Sequence, residues 1–282
     1  MKTRNRYILS LGVITSLSSF LMADTVGDID AEMSSTDIAG KYSSEAKEAL
    51  VTASETLKQN IKFGSANTSG NSETQNINGK YDMSFSNEGL FNELMKVKFD
   101  ISGFVAKSDK KRVNEEYSSN LGFEQIIGDG WLAYTSALWF KNNFKNLDRK
   151  LSFGAGIGNE IFKTDKQSLT FKIGAGYNIE NYIIKADFDG ELLSSRKFGS
   201  LNEYIEYNYQ FNTTNQFFLK LGASENFEDI AKDYDILTSL GFNFSIAENL
   251  SISLTQEITF DAIPVGDKKT DTKTIVSLGY NF

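Results

Sequence analysis

The sequence predicts an all-β protein, a closed antiparallel transmembrane β-barrel of about 12 strands that follows a short N-terminal helical arm. From Ile61 to Phe282, apolar and polar residues alternate with the period of two that is typical of strands. Aromatic residues gather near the strand ends, as in the girdles of outer-membrane barrels. After residue 23, no charge-free stretch approaches the about 18 residues of a membrane-spanning helix.

The N-terminal segment 1–23 has the pattern of a secretory signal peptide. Lys2, Arg4 and Arg6 form a basic start, a charge-free and mostly apolar stretch follows, and the segment ends with Leu-Met-Ala at Ala23. An uncleaved anchor helix is the alternative, but the stretch is short and acidic residues follow it at once. We therefore expect cleavage, export and a final location in the cell outer membrane.

Residues 24–60 differ in composition from the rest of the chain. They carry eight acidic and three basic residues, and their apolar residues recur with the helical period. Ser43 and Ser44 are suitable N-caps. The segment predicts a polar arm with one amphipathic helix, whose apolar positions are Ala46, Ala49, Leu50, Ala53 and Leu57. The barrel domain is expected to comprise residues 61–282.

The C-terminal segment shows how the strand pattern assigns the two faces of the barrel. Val276, Leu278 and Tyr280 are expected to face lipid, and they alternate with Ser277 and Gly279, which are expected to face the lumen. In a soluble sandwich or a lipocalin-like barrel the apolar face would be the inner one, and aromatics would have no reason to gather at strand ends. One predicted girdle contains Phe85, Trp131, Phe211, Phe217, Phe244 and Phe282, and the other contains Tyr117, Trp139, Phe153, Tyr177, Tyr234 and Phe260.

The connections between strands are expected to alternate between short periplasmic turns and longer external loops. Splitting residues 167–197 at Asn178 would give thirteen strands. Single-chain bacterial barrels have an even number, so we expect one strand over 167–185 and twelve strands in all. The predicted turns are 128–130, 164–166, 212–214 and 247–249, and the predicted loops are 107–116, 141–150, 186–197, 225–233 and 261–271.

Several strings resemble a known family. They are Thr68-Ser69-Gly70-Asn71-Ser72-Glu73-Thr74, the glycine-rich segments 153–158 and 173–177, and the ending 269–282, Lys-Thr-Asp-Thr-Lys-Thr-Ile-Val-Ser-Leu-Gly-Tyr-Asn-Phe. Over residues 61–282 the chain resembles the salt-induced outer-membrane protein family, a domain-of-unknown-function family of predicted barrels. The resemblance implies fold and location, and no catalytic residues. The terminal aromatics, Phe282 with Tyr280, resemble the signal that the barrel-assembly machinery reads.

Composition argues against most enzyme chemistries and against a nucleic-acid partner. The 282 residues include no histidine and no cysteine, so the commonest general base, thiol nucleophiles and thiolate metal sites are excluded. Without the signal segment, 26 basic residues face 37 acidic ones, a net charge of about −11 that disfavours nucleic acid. We expect no enzyme, no cofactor and no metal, with outer-membrane lipid and lipopolysaccharide as surroundings.

Two local patterns allow a functional or a structural interpretation. The loop 225–235 concentrates five acids and one base, which could bind calcium or bridge divalent ions to lipopolysaccharide, although a solvated loop is the simpler interpretation. A glycine series resembles part of a nucleotide-binding fingerprint, but it lies within a strand and no helix follows. Its bare inner backbone would permit curvature, accommodate Tyr134 or Phe140, or seat the arm helix. The fingerprint resemblance concerns Gly154, Gly156 and Gly158, and Gly174 and Gly176 on the next strand are expected to share their inward facing.

The predicted register places charged residues in the lumen, where they are the candidate functional residues. Bases dominate the first three strands and acids the later ones, so opposing walls could carry a transverse field in a weakly selective pore for small solutes or ions. Alternatively, neighbours such as Glu206 and Lys220 form ion pairs that stiffen a filled, structural barrel. The candidates are Lys62, Lys80, Lys96, Lys98, Asp100, Lys172, Glu206, Lys220, Asp235 and Glu257.

Overall fold

A computed structural model describes residues 56–68, 74–108, 111–143, 145–188, 190–264 and 269–282. These residues form a closed barrel of twelve strands in which each strand pairs antiparallel with its sequence neighbours and β1 pairs with β12. The predicted fold class is confirmed. The strands are β1 Thr56–Thr68, β2 Thr74–Glu88, β3 Leu94–Ser108, β4 Lys111–Gly128, β5 Trp131–Asn142, β6 Leu147–Lys163, β7 Gln167–Phe188, β8 Glu191–Gln210, β9 Asn215–Asn226, β10 Tyr234–Ala247, β11 Leu250–Asp261 and β12 Thr270–Asn281.

The alternation of residue types sets the two faces of the barrel. On β12, Val276 and Leu278 are each 51% exposed on the outside, whereas Lys273 and Ile275 are buried on the inside. The same alternation holds on β8, where Tyr204 and Glu206 are buried inside. An apolar exterior and a mainly polar interior are the arrangement of a transmembrane barrel.

The start of β1 and the end of β12 lie at the same end of the barrel, which we call the terminal end. We call the opposite end the distal end. The backbone N–H of Phe282 donates to the carbonyl of Gln59 at 3.0 Å. The side-chain amide of Asn60 donates to Asn281. Hydrogen bonds therefore close the barrel between the chain's first and last strands.

Two belts of aromatic residues lie where the sequence predicts the girdles. At the terminal end, the rings of Phe211, Phe217 and Phe244 each lie within 6.4 Å of the Phe242 ring. Near the distal end, Tyr234 stacks on Phe260 at 5.7 Å. The eleven residues from Tyr234 to Phe244 span about 33 Å along β10. At a tilt of about 40° they cover about 25 Å across the membrane, which is the height of the apolar band in such barrels.

The predicted turns are confirmed, but three predicted loops are wrong. Residues 107–116, 141–150 and 186–197 lie mostly in strands, because β3 continues to Ser108, β5 to Asn142 and β7 to Phe188. Polar residues dominate these segments, yet paired strands continue beyond the apolar band because water can solvate their side chains there. Gly190, with φ +87°, permits the tight turn between β7 and β8. β7 passes through Asn178 without a break, as parity predicts.

The barrel begins earlier than residue 61. β1 starts at Thr56, so residues 56–60, assigned above to the arm, belong to the first strand. Leu57, the last apolar position of the predicted helix, pairs with Phe85 on β2. The other predicted helix positions and the signal segment 1–23 lie outside the described residues. Within the described ranges, no helix has the length and hydropathy needed to cross a membrane.

The glycine series forms a close contact between β6 and β7. Gly156 and Gly174 are register partners, and a Cβ on Gly156 would lie only 2.6 Å from the Cα of Gly174. The hydroxyl of Tyr134 lies 2.5 Å from the position that a Gly174 Cβ would take, so Tyr134 covers this backbone. Phe140 packs elsewhere, in a cluster with Leu147. The glycines therefore let two backbones and one aromatic ring approach closely.

Candidate functional site

The charged residues inside the barrel form two layers. We call the layer nearer the terminal end the lysine ring, because its formal charges include six lysines and four carboxylates. Lys62 is the register partner of Lys80, Asp82 of Asp100, and Glu206 of Lys220. The lysine ring consists of Lys62, Lys80, Lys96, Lys98, Lys172 and Lys220 with Asp82, Asp100, Glu124 and Glu206.

On one side of the lysine ring, a single carboxylate joins two lysines from separate strands. Glu124 on β4 accepts from Lys172 on β7 at 2.5 Å and lies 3.3 Å from Lys98 on β3. The Lys172 ammonium also lies over the rings of Tyr134 and Tyr204, at 5.7 and 5.8 Å from their centroids. Only 2% of Lys172 is exposed, so these contacts replace water around its charge.

On the other side, Lys80 is more accessible than the charges around Glu124. Lys80 and Asp82 lie 2.6 Å apart with side chains 31% and 18% exposed. Lys220, on β9, lies close enough to Asp82 and Asp100 for their charges to interact across the lumen. Its distance to Glu206 is 3.9 Å. On this side of the ring, Lys80 is therefore the charge that contacts water most.

A second charged layer, the acidic mouth, lies near the distal end and has six carboxylates and four bases among the described residues. Lys150 and Arg196 both contact Glu180, at 3.1 and 3.0 Å. Arg196 also contacts Asp233 at 2.7 Å, and Lys150 reaches Asp235 on β10 at 3.9 Å. The acidic mouth consists of Glu116, Glu180, Asp233, Asp235, Glu257 and Asp261 with Lys145, Lys150, Arg196 and Lys273.

Four further mouth residues lie on β4, β11 and β12. Glu257 on β11 is the register partner of Lys273 on β12, whose ammonium lies 4.4 Å from the Phe104 ring centroid. The charge of Glu116 interacts with that of Glu257. Asp235 and Asp261 are register partners whose like charges also interact. Acidic charge therefore surrounds this end of the lumen.

Between the two layers, the inner positions carry small polar residues and glycine. The hydroxyls of Ser102 and Ser118 lie 2.6 Å apart, and Ser152 donates to Asn178 at 2.6 Å. Asn178 in turn donates to Ser200. Hydrogen bonds between uncharged side chains thus connect the inner faces of neighbouring strands beside the charged residues.

Large side chains fill one part of the lumen. Leu132 and Tyr134 on β5 cluster with Tyr204 on β8 and with Leu237 on β10. Around the barrel, β10 is five strands away from β5. Nearer the distal end, Phe140 is fully buried with Leu138, Leu147, Tyr182 and Ala186. We call the inner face of β4–β8 the packed wall.

The inner face of β9–β12 and β1–β3 near the terminal end is lined by smaller residues and is more accessible. We call it the open wall, and it includes Ser84, Asn243, Ser251 and Ser277. Four buried oxygens in or beside it have no hydrogen-bond partner among the residues that the structure describes. They belong to Asn60, Asn78, Asp82 and Ser86. Buried polar atoms of this kind are normally satisfied by water.

The predicted lumen residues lie on the inner face, but their arrangement differs from the one considered above. Eight of the ten lie in the lysine ring, whereas Asp235 and Glu257 lie in the acidic mouth. Neighbouring lysines and carboxylates form ion pairs, and the charge of Glu257 in the mouth also interacts with Lys80 and Lys220 in the lysine ring. The eight are Lys62, Lys80, Lys96, Lys98, Asp100, Lys172, Glu206 and Lys220.

Sequence reasoning missed several members of these layers. Glu116, Lys150 and Arg196 fall in segments whose composition predicts loops. The strand pattern therefore does not assign their side chains to the lumen or to the lipid face. Glu124 and Asn120 are four residues apart on one strand, so the period of two places both side chains on the same face. That period is the sequence signal that could have identified Glu124. The acidic loop of residues 225–235 is held by ion pairs, including Lys232 to Asp229 at 3.2 Å. Among the described residues, no group of three acidic side chains has the geometry of a metal site.

The closed barrel and its polar, charged lumen define a transmembrane β-barrel that resembles those of bacterial outer membranes. The chain belongs to the family described as "Protein of unknown function, DUF481", which matches residues 61–282. This match confirms the coarse part of the predicted resemblance, a family of unknown function over the same residues. No curated protein matches the chain in sequence.

Solved structures with a similar fold are outer-membrane barrels. An outer membrane channel from Pseudomonas putida F1 has a TM-score of 0.50 at 10% identity, covering 86% of this chain and 100% of that one. The NanC porin has a TM-score of 0.46 at 11% identity, with 80% and 99% coverage. The KdgM porin has a TM-score of 0.40 at 11% identity, with 79% and 99% coverage. At these identities the similarity concerns the fold alone.

Proposed function

We propose that the protein is an outer-membrane pore that passes small hydrophilic solutes and ions through a narrow lumen. The observation that carries this proposal is the open wall. Its serines and asparagines are small, and four buried oxygens, Asn60 Oδ1, Asn78 Oδ1, Asp82 Oδ2 and Ser86 Oγ, have no hydrogen-bond partner within the described part of the chain. Water beside the open wall would satisfy them and would form a continuous path past the packed wall.

Single-channel recording tests the pore directly. We expect discrete conductance steps from the purified protein in planar bilayers, both for the chain that starts at Asp24 and for a truncation that starts at Thr56. The truncated form lacks residues up to 55 and keeps Thr56, because β1 begins at Thr56. A deletion through residue 60 would remove part of the first strand. Folded barrel that shows no conductance in either form would contradict the proposal.

A non-conducting structural barrel is the second candidate, and the packed wall favours it. The cluster that contains Leu132 and Leu237 reaches nearly across the barrel, and the ion pair from Lys150 to Asp235 does the same at the mouth. Such cross-lumen contacts would stiffen a barrel that serves envelope integrity. This candidate predicts silent bilayers together with detergent sensitivity of cells that lack the protein. A catalytic role is not part of either candidate, because the chain has no histidine or cysteine.

Location and assembly form a separate part of the proposal. We propose that the signal segment 1–23 is cleaved, that the terminal end faces the periplasm, and that the assembly machinery reads Phe282 with Tyr280. The rings of these two residues touch edge to face at 5.1 Å on the outer surface. Deleting Phe282 should lower outer-membrane levels in cells and leave refolding in detergent nearly unchanged. Normal cellular levels with failed refolding would contradict the signal role.

The surroundings and regulation of the barrel are further proposals. Its apolar exterior would contact outer-membrane lipid, and its distal end would lie among lipopolysaccharide. The resemblance to a salt-induced family predicts higher protein levels at high osmolarity. Quantitative immunoblots of cells at two salt concentrations would test this response, and equal levels would contradict it.

A further inference from the structure

Three residues on the outer surface of the barrel lie just beyond the aromatic belt at the distal end. They are Arg149 on β6, Asn181 on β7 and Lys197 on β8. Each is adjacent in the chain to an ion-paired residue of the acidic mouth that points into the lumen, so alternation directs these three side chains outward. Arg149 and Lys197 are exposed, and Asn181 is partly exposed. We call these three residues the basic patch.

Strand pairing brings the basic patch together across three neighbouring strands. Arg149 is the register partner of Asn181, and Lys197 is the register partner of Ile179, two residues earlier on β7. Two strand spacings of about 4.8 Å and an offset of two residues of about 3.3 Å each separate the backbones of Arg149 and Lys197 by about 12 Å. Ser195, the register partner of Asn181, adds an exposed hydroxyl between them. Two long basic side chains can therefore approach one small anionic group from opposite sides.

The two bases of the patch have little compensating charge from the protein. Neither Arg149 nor Lys197 has an ion-pair partner among the residues that the structure describes. The charge of Asp148 acts on Arg149, but Asp148 already lies 2.7 Å from Lys141, and its side chain is 57% exposed. Water screens such exposed charges strongly. Both bases therefore remain available to an external anion.

The Arg149 side chain is oriented by its neighbour on β7. With the Asn181 amide group in the orientation that satisfies both of its polar atoms, its oxygen accepts from the Arg149 Nη2 at 2.8 Å. A guanidinium group has five N–H donors in a planar fork. This contact therefore holds Arg149 in place and leaves most of its donors for a ligand.

An apolar surface lies directly beneath the patch. Ile179 faces outward beside Lys197, and Phe153 and Tyr177 of the aromatic belt follow below it with exposures of 50% and 48%. Lys197 is level with a position two residues beyond Tyr177, and Arg149 lies four residues beyond Phe153. At a strand tilt of about 40° these separations correspond to about 5 to 10 Å above the belt. This is the zone of the lipid headgroups.

We propose that the basic patch binds a phosphate group of a lipid in the leaflet at the distal end. Arg149 and Lys197 contact the phosphate through charge-assisted hydrogen bonds, with the guanidinium fork matching two phosphate oxygens. The acyl chains of the same lipid lie on the apolar surface beneath. The inference rests on the proposed outer-membrane location, where this lipid is lipopolysaccharide, and it does not depend on conduction through the lumen.

Native mass spectrometry of the detergent-solubilised chain that starts at Asp24 tests the site with lipopolysaccharide as the probe. Arg149→Gln with Lys197→Gln should raise the half-saturating concentration of lipopolysaccharide about tenfold. Removing the phosphate groups from the lipopolysaccharide should weaken its binding to the unsubstituted protein by about the same factor and should abolish the difference between the two proteins.

Lys185→Gln is the matched control. Lys185 is also an exposed base on the distal extension of β7, but it lies eight residues beyond Tyr177, about 20 Å above the belt and outside the headgroup zone. Its substitution removes the same charge and should leave binding unchanged. An equal loss in this control would mean that any surface base attracts the lipid, and it would overturn the inference.

Two further results would overturn the lipid site. One is equal binding of intact lipopolysaccharide by the double variant and the unsubstituted protein. The other is displacement of lipopolysaccharide by millimolar inorganic phosphate, which would assign the patch to a free anion. Both substitutions are at exposed positions, so we expect the double variant to fold, and heat-modifiable migration on gels checks this.

The same preparations separate this inference from the proposed function. Silent bilayers together with phosphate-dependent binding would contradict the pore and support the lipid site. Conductance together with unchanged binding in the double variant would support the pore and overturn the lipid site. Membrane fractionation of cells tests the proposed location independently of both measurements.

Discussion

The packed wall and the open wall belong to one sheet and share one alternating pattern, yet their inner residues differ in size and burial. On the packed wall, Phe140 is 0% and Tyr204 1% exposed. On the open wall, serines and asparagines occupy equivalent positions, and the Lys80 side chain is 31% exposed. A polar lumen is thus compatible with either a filled or an accessible interior, and side-chain volume decides between them.

The difference has a geometric cause. A barrel of twelve strands encloses more space than serine and glycine can fill, so part of it must hold water unless large residues enter it. Large residues are concentrated on β5 and β8, and the close approach of β6 and β7 at Gly156 and Gly174 lets Tyr134 reach inward between them. Leu237 extends this packing from β10. The remaining space lies along the open wall.

Removing a large aromatic should give the largest difference between the walls. Tyr204→Ala leaves a cavity beside Lys172 and removes the hydrogen bond to Glu206, which measures 2.8 Å. We expect a loss of about 3 to 5 kcal/mol in the free energy of unfolding, measured by urea titration in lipid vesicles. Phe218→Ala on β9 is the control and should cost less than about 2 kcal/mol, because water can enter its place. Equal losses would show that both walls are packed.

Introducing arginine at three sites should separate the packed wall, the open wall and the lipid face. Leu278→Arg places a charge in lipid and should cost about 2 to 4 kcal/mol. Ser200→Arg places it in the packed wall, where Ser200 is fully buried and accepts from Asn178, and should cost about 3 kcal/mol. Ser277→Arg on the open wall should cost less than about 1 kcal/mol. Folded fraction on unheated gels measures all three, and a Ser277→Arg loss as large as the other two would rule out an accessible wall.

Neutralising one carboxylate on each wall tests how charge is held. Glu124→Gln leaves the buried Lys172 and the neighbouring Lys98 without their shared anion, and we expect a cost of about 2 kcal/mol. Asp82→Asn on the open wall should cost less than about 1 kcal/mol, because water screens Lys80 there. Both variants should shift the reversal potential in a salt gradient toward anions. A shift from Asp82→Asn alone would mean that ions pass only beside the open wall.

Single cysteines should distinguish the walls with little effect on stability. The chain has no cysteine, so Ser84→Cys, Ser277→Cys and Ser200→Cys each provide one thiol. We expect all three to keep stability within about 1 kcal/mol. A water-soluble maleimide should modify the first two at least about tenfold faster than the third, because only a solvated thiolate reacts. Similar rates at all three positions would remove the distinction.

Several features were predictable because they follow from local pattern. The outward facing of Leu278 and Val276, the girdle positions and the continuous seventh strand all depend on alternation within one strand or on strand parity. The loops 107–116, 141–150 and 186–197 were wrong because polarity does not distinguish a solvated strand from a loop. For the same reason Glu116, Lys150 and Arg196 could not be assigned to the lumen.

The sequence by itself determined the strand period, the number of strands and the face of each residue, because neighbouring side chains on a strand must point to opposite sides of a sheet. Only the tertiary structure decided which charges meet. Lys98, Glu124 and Lys172 come from β3, β4 and β7, and Lys220 faces Asp82 and Asp100 across the lumen. These contacts depend on the stagger of the closed sheet and on the curvature at β6 and β7, neither of which is encoded in the alternation of any single strand.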